Sequence, residues 1–331
     1  NEDYQGEQDV FFSKKILDIP EDKWIEMSFK YTLTEFCTAI KPYCFKYIFT
    51  ELGGTKVIYF DPDIYVCNSL SYFYDKLNDV SMLVVPHIVY PNMQNDTDKT
   101  FLQSGIYNLG FLALKDCNST QKMLEWWGKK LLNSCFDDVL DYTFTDQKWM
   151  NFLPALFPND EVLVSRHLGA NIAPWNFYER EMELKNGVPS FVKARSGNSE
   201  IYPILFIHYS GFNYKSLLMG NEERTRFGQY EISYQDVKDA LAFYVHQISS
   251  NKEIMLSYLS LPYTYGTYDN NTLVDKVHRR LYRALAQRTY KGNPFDTKAC
   301  DFYKSIKQLN MISQKSVSGV VDKTPSLRKK L

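Results

Sequence analysis

The run Lys56-Val57-Ile58-Tyr59-Phe60 stops abruptly at Asp61-Pro62-Asp63, and that junction constrains the chain more than any other feature. Five mostly β-branched and aromatic residues after Gly53-Gly54 read as a buried strand. A bend stiffened by Pro62 follows, with two carboxylates at i and i+2. Similar short apolar runs recur at Ser81 to Val85, Tyr107 to Leu114, Glu161 to Ser165 and Ile204 to His208. Between them lie helical patterns: Thr34 to Phe49, with Pro42 at a kink or a fresh start, and a helix opened by Asn118 or Ser119 that carries Met123, Leu124, Trp127 and Leu131 on one face. Another spans about Thr145 to Phe157, while Phe177 to Asn198 reads as polar and irregular. Strands alternating with helices predict an α/β fold built on a mostly parallel sheet. Ligands of such sheets bind beyond the carboxyl ends of the strands, where Asp61 and Asp63 stand.

Composition narrows the function classes. The 331 residues carry 38 Lys+Arg against 39 Asp+Glu, so the balanced charge gives no reason to expect a nucleic-acid partner. No apolar run approaches the ~18 residues of a membrane span, and no basic stretch followed by an apolar one opens the chain. Cys37, Cys44, Cys67, Cys117, Cys135 and Cys300 are scattered without a Cys-x-x-Cys pair, which predicts reduced thiols and a cytoplasmic setting. Aromatic residues reach 16%, enough to build a core and to line a sugar- or base-binding cleft as well. Near residue 230 the pattern becomes helical: Ser233 opens a helix to about Ile248 with Asp236 as a capping-box acid, and Val274, Val277, Leu281 and Leu285 mark another. The expected division is an α/β domain over 1–230, a helical extension over 231–310 and a disordered basic tail over 311–331.

Two acidic side chains at i and i+2 in a bend can direct oxygens at one hard cation and leave positions open for a phosphate-bearing substrate. The plain alternative is a turn with solvated carboxylates. At the end of another apolar strand, His208 offers an imidazole suited to Mn²⁺ as a third ligand, or else a structural hydrogen bond. His87, His167, His246 and His278 read as structural or surface residues. Asn108 and Asp146-Gln147, taken alone, are a loop amide and a helix-start acid. Nucleophile-elbow, P-loop, HExxH and dinucleotide-binding patterns are missing from the sequence.

In chain order, strand–Asp61-Pro62-Asp63, Tyr107-Asn108-Leu109-Gly110, Asp146-Gln147, Ala173-Pro174-Trp175-Asn176 and His208-Tyr209-Ser210-Gly211 resemble the glycosyltransferases of the GT-A fold. The resemblance covers residues 30–215 and is nearest to the family 8 type, which retain anomeric configuration. Gly266-Thr267-Tyr268-Asp269-Asn270, Arg279-Arg280-Leu281-Tyr282 and Asn293-Pro294-Phe295 resemble the C-terminal region of bacterial polysaccharide-type glycosyltransferases. The resemblance implies a Rossmann-like GT-A domain with a helical extension, acting in bacterial surface polysaccharide assembly. It further implies a nucleotide-sugar donor, a glycan or lipid-linked acceptor, and Mn²⁺ or Mg²⁺ held by Asp61, Asp63 and His208. Asp146 and Gln147 would then lie by the reacting sugar. Lys41, Asn108, Gly110, Trp175, Asn176, Gly211 and Lys215 would bind substrate.

Two departures stand out. The family carries a lysine six residues after the histidine, where this chain has Tyr214, with Lys215 one position late. The strand–helix–strand unit that holds the nucleotide base is not evident in residues 1–32, which reads as an N-terminal truncation of the domain. The tail at Arg328-Lys329-Lys330 could give peripheral contact with anionic lipid at the inner face of a membrane. Two other readings remain open: a carbohydrate-binding or scaffold protein on a degenerate GT-A fold, and a haloacid-dehalogenase-type phosphatase. The latter expects Thr or Val two residues after the second Asp, where Tyr65 stands.

Overall fold

The strands, in chain order, are β1 (Lys56–Phe60), β2 (Ile64–Val66), β3 (Met82–Val84), β4 (Phe111–Lys115), β5 (Asp137–Asp138), β6 (Thr143–Phe144), β7 (Val162–Val164), β8 (Arg180–Lys185), β9 (Val188–Ala194), β10 (Ile201–Pro203) and β11 (Phe206–His208). This computed structural model describes residues 10–308 except 94, 95, 97, 198, 199, 222–232, 286–289 and 291, so the basic tail lies outside the described residues. The framework divides into two compact units, one of Asn1–Asp18 and Thr38–Leu261, the other of Ile19–Cys37 and Pro262–Leu331.

In the first unit a four-stranded sheet runs in the order β1-β4-β3-β7. β3 and β7 are parallel, whereas β4 is antiparallel to both β1 and β3. The expectation of a mostly parallel sheet is therefore corrected to a mixed one. Alternation of strands and helices along the chain does not fix the direction of a strand that inserts between two earlier ones. The apolar segment expected over Tyr107 to Leu114 explains how this one inserts. Tyr107 bridges Pro86, Asn108 N–H bonds Val85 O at 2.9 Å, the chain turns at Leu109-Gly110, and β4 begins only at Phe111.

A separate antiparallel pair, β2 with β11, sits beside this sheet. Phe206 of β11 stacks on Phe111 of β4 at 5.2 Å and meets Phe60 of β1 edge-on at 5.2 Å, while Phe73 closes on Phe111 at 4.6 Å. Burying Phe73, Phe111 and Phe206, and part of Phe60, contributes several kcal/mol at about 25 cal/mol per Å² of apolar surface.

Within the stretch 177–198, read as irregular, β8 and β9 instead pair antiparallel, and β10, beyond that stretch, joins β9 as the third strand. Its turn is Asn186-Gly187 with φ of 52° and 79°, the geometry of a type I′ hairpin that favours this dipeptide. Charged residues on one face, among them Glu181, Glu183, Lys185 and Lys193, hid the strand pattern. The helix Gln235–Ser249 packs on β8 and β9 within the same unit, so the helices expected after residue 230 are divided between the two units. Asp236 forms no capping box; its carboxylate accepts from Met182 N–H and from Arg195, each at 2.8 Å.

The second unit is an aromatic cluster around Phe29, ringed by Tyr268, Tyr282, Phe295 and Phe302 at 4.9–5.8 Å. The helix Glu21–Lys30 ends beneath the buried guanidinium of Arg279 on the helix Lys276–Leu285. Arg279 donates to the carbonyl oxygens of Ser28, Phe29 and Tyr31 at 2.7–3.0 Å and of Tyr265 at 2.6 Å. A cation at a helix C-terminus meets both the orphan carbonyls and the macrodipole. Arg279→Met leaves those buried acceptors bare and should cost about 3 kcal/mol or more. Hydrogen exchange of the Glu21–Lys30 amides should accelerate roughly 100-fold; unchanged protection would show that the carbonyls do not need the guanidinium.

Candidate metal centre

β1 runs out at Asp61, whose N–H is held by Gly110 O at 2.8 Å. Ile64 N–H closes back on Asp61 O at 3.1 Å, so the Asp61-Pro62-Asp63 bend is a tight turn into β2. Pairing of β2 with β11 sets His208 opposite Ile64, and Tyr209 N–H bonds Asp63 O at 2.9 Å. One ligand atom each from Asp61, Asp63 and His208 then lies within 4.8 Å of the other two. The sequence expectation named these three residues, and the fold brings them together.

The imidazole is held from behind. His208 Nδ1 is 3.1 Å from Asn108 Oδ1, which can only accept, so Nδ1 carries the proton and Nε2 presents its lone pair. Nε2 stands 3.0 Å from Asp63 Oδ1, a buried oxygen without a hydrogen-bond partner. Two lone pairs at that distance repel, and either a proton on Nε2 or a divalent ion between the two atoms relieves the repulsion. Cis ligands of an octahedral ion with bonds of about 2.1 Å are roughly 3 Å apart, so the spacing suits a divalent ion. Burial pushes the Asp63 carboxyl up, and a proton on the adjacent imidazole, where Nε2 carries one, outweighs it and holds the group below the ordinary carboxylate range. Gly110 makes room: a Cβ there would lie 2.5 Å from His208 Cε1 and 2.9 Å from Asn108 Oδ1.

Behind the carboxylates sits a buried ammonium. Lys41, in the first turn of the helix Lys41–Thr50 that Pro42 starts afresh, places Nζ 3.0 Å from Asp146 Oδ2, 3.4 Å from Asp61 Oδ1 and 2.9 Å from Leu109 O. Burial alone would lower its pKa, but Asp146, Asp61 and Tyr59 outweigh it and hold the group charged. Tyr59 donates to Asp61 Oδ1 at 2.5 Å and lays its ring 4.3 Å from the ammonium. Sequence reasoning passed over Tyr59, although strand periodicity puts it on the same face as Asp61. Burial pushes the Asp146 carboxyl up while Lys41 opposes it; with all three carboxylates ionised and His208 neutral, the ammonium leaves two negative charges that a divalent ion would cancel.

Asp146 follows the β5–β6 hairpin and Thr145, a β-branched residue at φ 43°. That conformation stores about 1–3 kcal/mol of strain. It turns Asp146 inward, where Thr145 Oγ1 donates to Oδ1 at 3.1 Å and Trp127 Nε1 donates to its carbonyl at 3.2 Å. The helix expected from Thr145 therefore begins only at Lys148, as a 3-10 turn over Lys148–Phe152. Gln147 has both amide ends on backbone: Leu109 N–H bonds Oε1 at 3.1 Å, and Nε2 donates to Ser104 O at 2.9 Å.

The remaining expected residues fall differently. Trp175 sets its ring edge-on to His208 at 5.3 Å and touches His87, which burial pushes down to about 4 and keeps neutral. Asn176 is fully buried and ties Ala173 N–H to the carbonyls of His87 and Asn171. Its amide is committed to holding the loop. Gly211 takes a φ of 83° just after β11. Lys215 is exposed on the short helix Tyr214–Leu218, whereas the Tyr214 hydroxyl bonds that of Tyr244 at 3.0 Å.

No protein-family model matches the chain. It is 28% identical over 187 residues to the uncharacterized protein YfnF of Bacillus subtilis (strain 168), a match covering 56% of this chain and 59% of that relative. The chain thus spans about three-fifths of the curated relative it matches. A solved structure, a glycosyltransferase involved in the glycosylation of the major capsid of PBCV-1, overlaps 60% of this chain and 92% of its own at 11% identity. Its TM-score is 0.34, too low to establish a shared fold.

Among the described residues, then, two carboxylates and an imidazole offer a donor set that could hold a metal ion. Asn108→Ala, which frees the ring, and Gly110→Ala, which displaces it, should each weaken Mn²⁺ binding by about 10- to 100-fold with the circular dichroism unchanged. Titration calorimetry measures this, and wild-type affinity in both variants would refute the site.

Proposed function

We propose that the chain is a metal-dependent glycosyltransferase that moves a sugar from a nucleotide-diphosphate donor to a glycan or lipid-linked acceptor. The observation that carries this reading is the Asp61–Asp63–His208 cluster at the end of β1, a donor set for one divalent ion with positions to spare. A divalent ion held there supplies Lewis-acid stabilisation of a diphosphate leaving group. Asp61 and Asp63 bind it as anions, and Asn108 keeps the His208 lone pair aimed at it. Lys41 holds Asp61 and Asp146 in place and offsets the repulsion among the carboxylates.

Asp146 is tied to Lys41 and Gln147 to backbone, so we assign both to positioning rather than to attack on the sugar. In this reading the bond from the anomeric carbon to the diphosphate oxygen breaks as the bond to the acceptor oxygen forms. The acceptor proton leaves with the diphosphate, an arrangement that accommodates retention. The bacterial surface polysaccharide setting rests on the resemblance of the C-terminal segments.

The test is slow hydrolysis of UDP-sugars and other nucleotide sugars in the presence of Mn²⁺. Chelation should abolish it, and Asp63→Asn should lower kcat by about 100-fold or more, the scale of a lost electrostatic contact to the leaving group. Hydrolysis that persists unchanged in Asp63→Asn would overturn the reading. Release of phosphate from simple monoesters would favour a phosphatase instead.

A further inference from the structure

A second cleft, of about 380 Å³, opens between the helix Asn118–Ser134 and the 3-10 turn Lys148–Phe152. It is lined by Trp126, Lys129, Lys130, Asn133, Ser134 and Trp149. The two indoles meet edge-on, 6.4 Å apart at 82°, so one forms a floor and the other a wall. Both are half-buried, and neither belongs to the core: the adjacent Trp127, turned about 100° around the helix, fills that role. The Trp149 N–H is anchored on Ser134 O at 2.9 Å, which fixes its ring, and Lys130 Nζ lies 5.5 Å from the ring centre. Two ammonium groups line the space and no carboxylate does; Glu125, which pairs with Lys129 at 2.7 Å, is outside the lining.

We propose that this cleft binds an anionic saccharide, a sugar unit bearing a carboxylate or phosphate. An indole face accepts the apolar C–H face of a pyranose. Asn133 offers an amide to its hydroxyls, and Lys129 and Lys130 meet its negative charge. The volume holds one or two sugar units. Nucleic acid, the other ligand of aromatic and cationic surfaces, needs a basic track along its backbone, and this chain has a net charge of -1. Its lining shares no residue with the metal centre, and its binding does not depend on the transferase reading.

The test is tryptophan fluorescence of the full chain titrated with trigalacturonate and with neutral maltotriose. The expected result is at least a tenfold preference for trigalacturonate, weakened as salt rises from about 0.05 to 0.5 M. Lys129→Gln with Lys130→Gln should erase the preference, and Trp126→Ala should remove binding of both sugars, with circular dichroism and thermal unfolding as the check on folding. Equal binding of the two sugars, no binding, or wild-type binding by these variants would overturn the proposal. So would inorganic phosphate or a single-stranded oligonucleotide competing at lower concentration than the sugar.

Discussion

The approach of His208 to Asp63 is the contact on which the rest of the site depends. Backbone brings the two residues together, through the pairing of β2 with β11 and the bond from Tyr209 N–H to Asp63 O, and Asn108 and Gly110 then hold the imidazole rotamer that completes it. Phe206 secures the pairing by entering the phenylalanine cluster of the main sheet, and His208 follows two residues on, along the same face. The arrangement tolerates nothing larger than hydrogen at position 110, because the imidazole occupies the place a Cβ would take. Core packing and ligand geometry are thus one problem here, solved by the same short strand.

Charge sets the second condition. Three carboxylates crowd one end of a sheet, and burying like charges is unfavourable unless a cation is supplied. Lys41 supplies one from within the chain, at the start of a helix whose first turn Pro42 makes possible. The balance that remains is negative and half-exposed at Asp61 and Asp63, so the opening of the site is where a divalent ion is most favoured.

Aromatic residues do three kinds of work in this chain. Around Phe29 they form the core of the second unit, and at Phe206 they join two sheets. Trp126 and Trp149 remain half-buried and line a cleft beside lysines. Composition registers all of them alike, since it carries no information about which ring ends inside.

Local signals were legible wherever one segment carried them whole. The strand ending in Asp61-Pro62-Asp63 could be read as written, as could the buried face of Met123, Leu124, Trp127 and Leu131 and the fresh helix start at Pro42. The Asn186-Gly187 hairpin was equally local, but its charged outward face masked it. What the amino-acid sequence determined by itself was the supply of groups: two acids in a bend, a histidine at a strand end, a lysine in a helix's first turn. Tertiary structure alone decided their use. It reversed β4 between β1 and β3, committed Asn176 and Gln147 to backbone, set Asn108 against the His208 ring, and drew Lys41 in behind the carboxylates. The physical reason is that strand direction, burial and hydrogen-bond partners depend on contacts between segments far apart in the chain, and no local propensity encodes them.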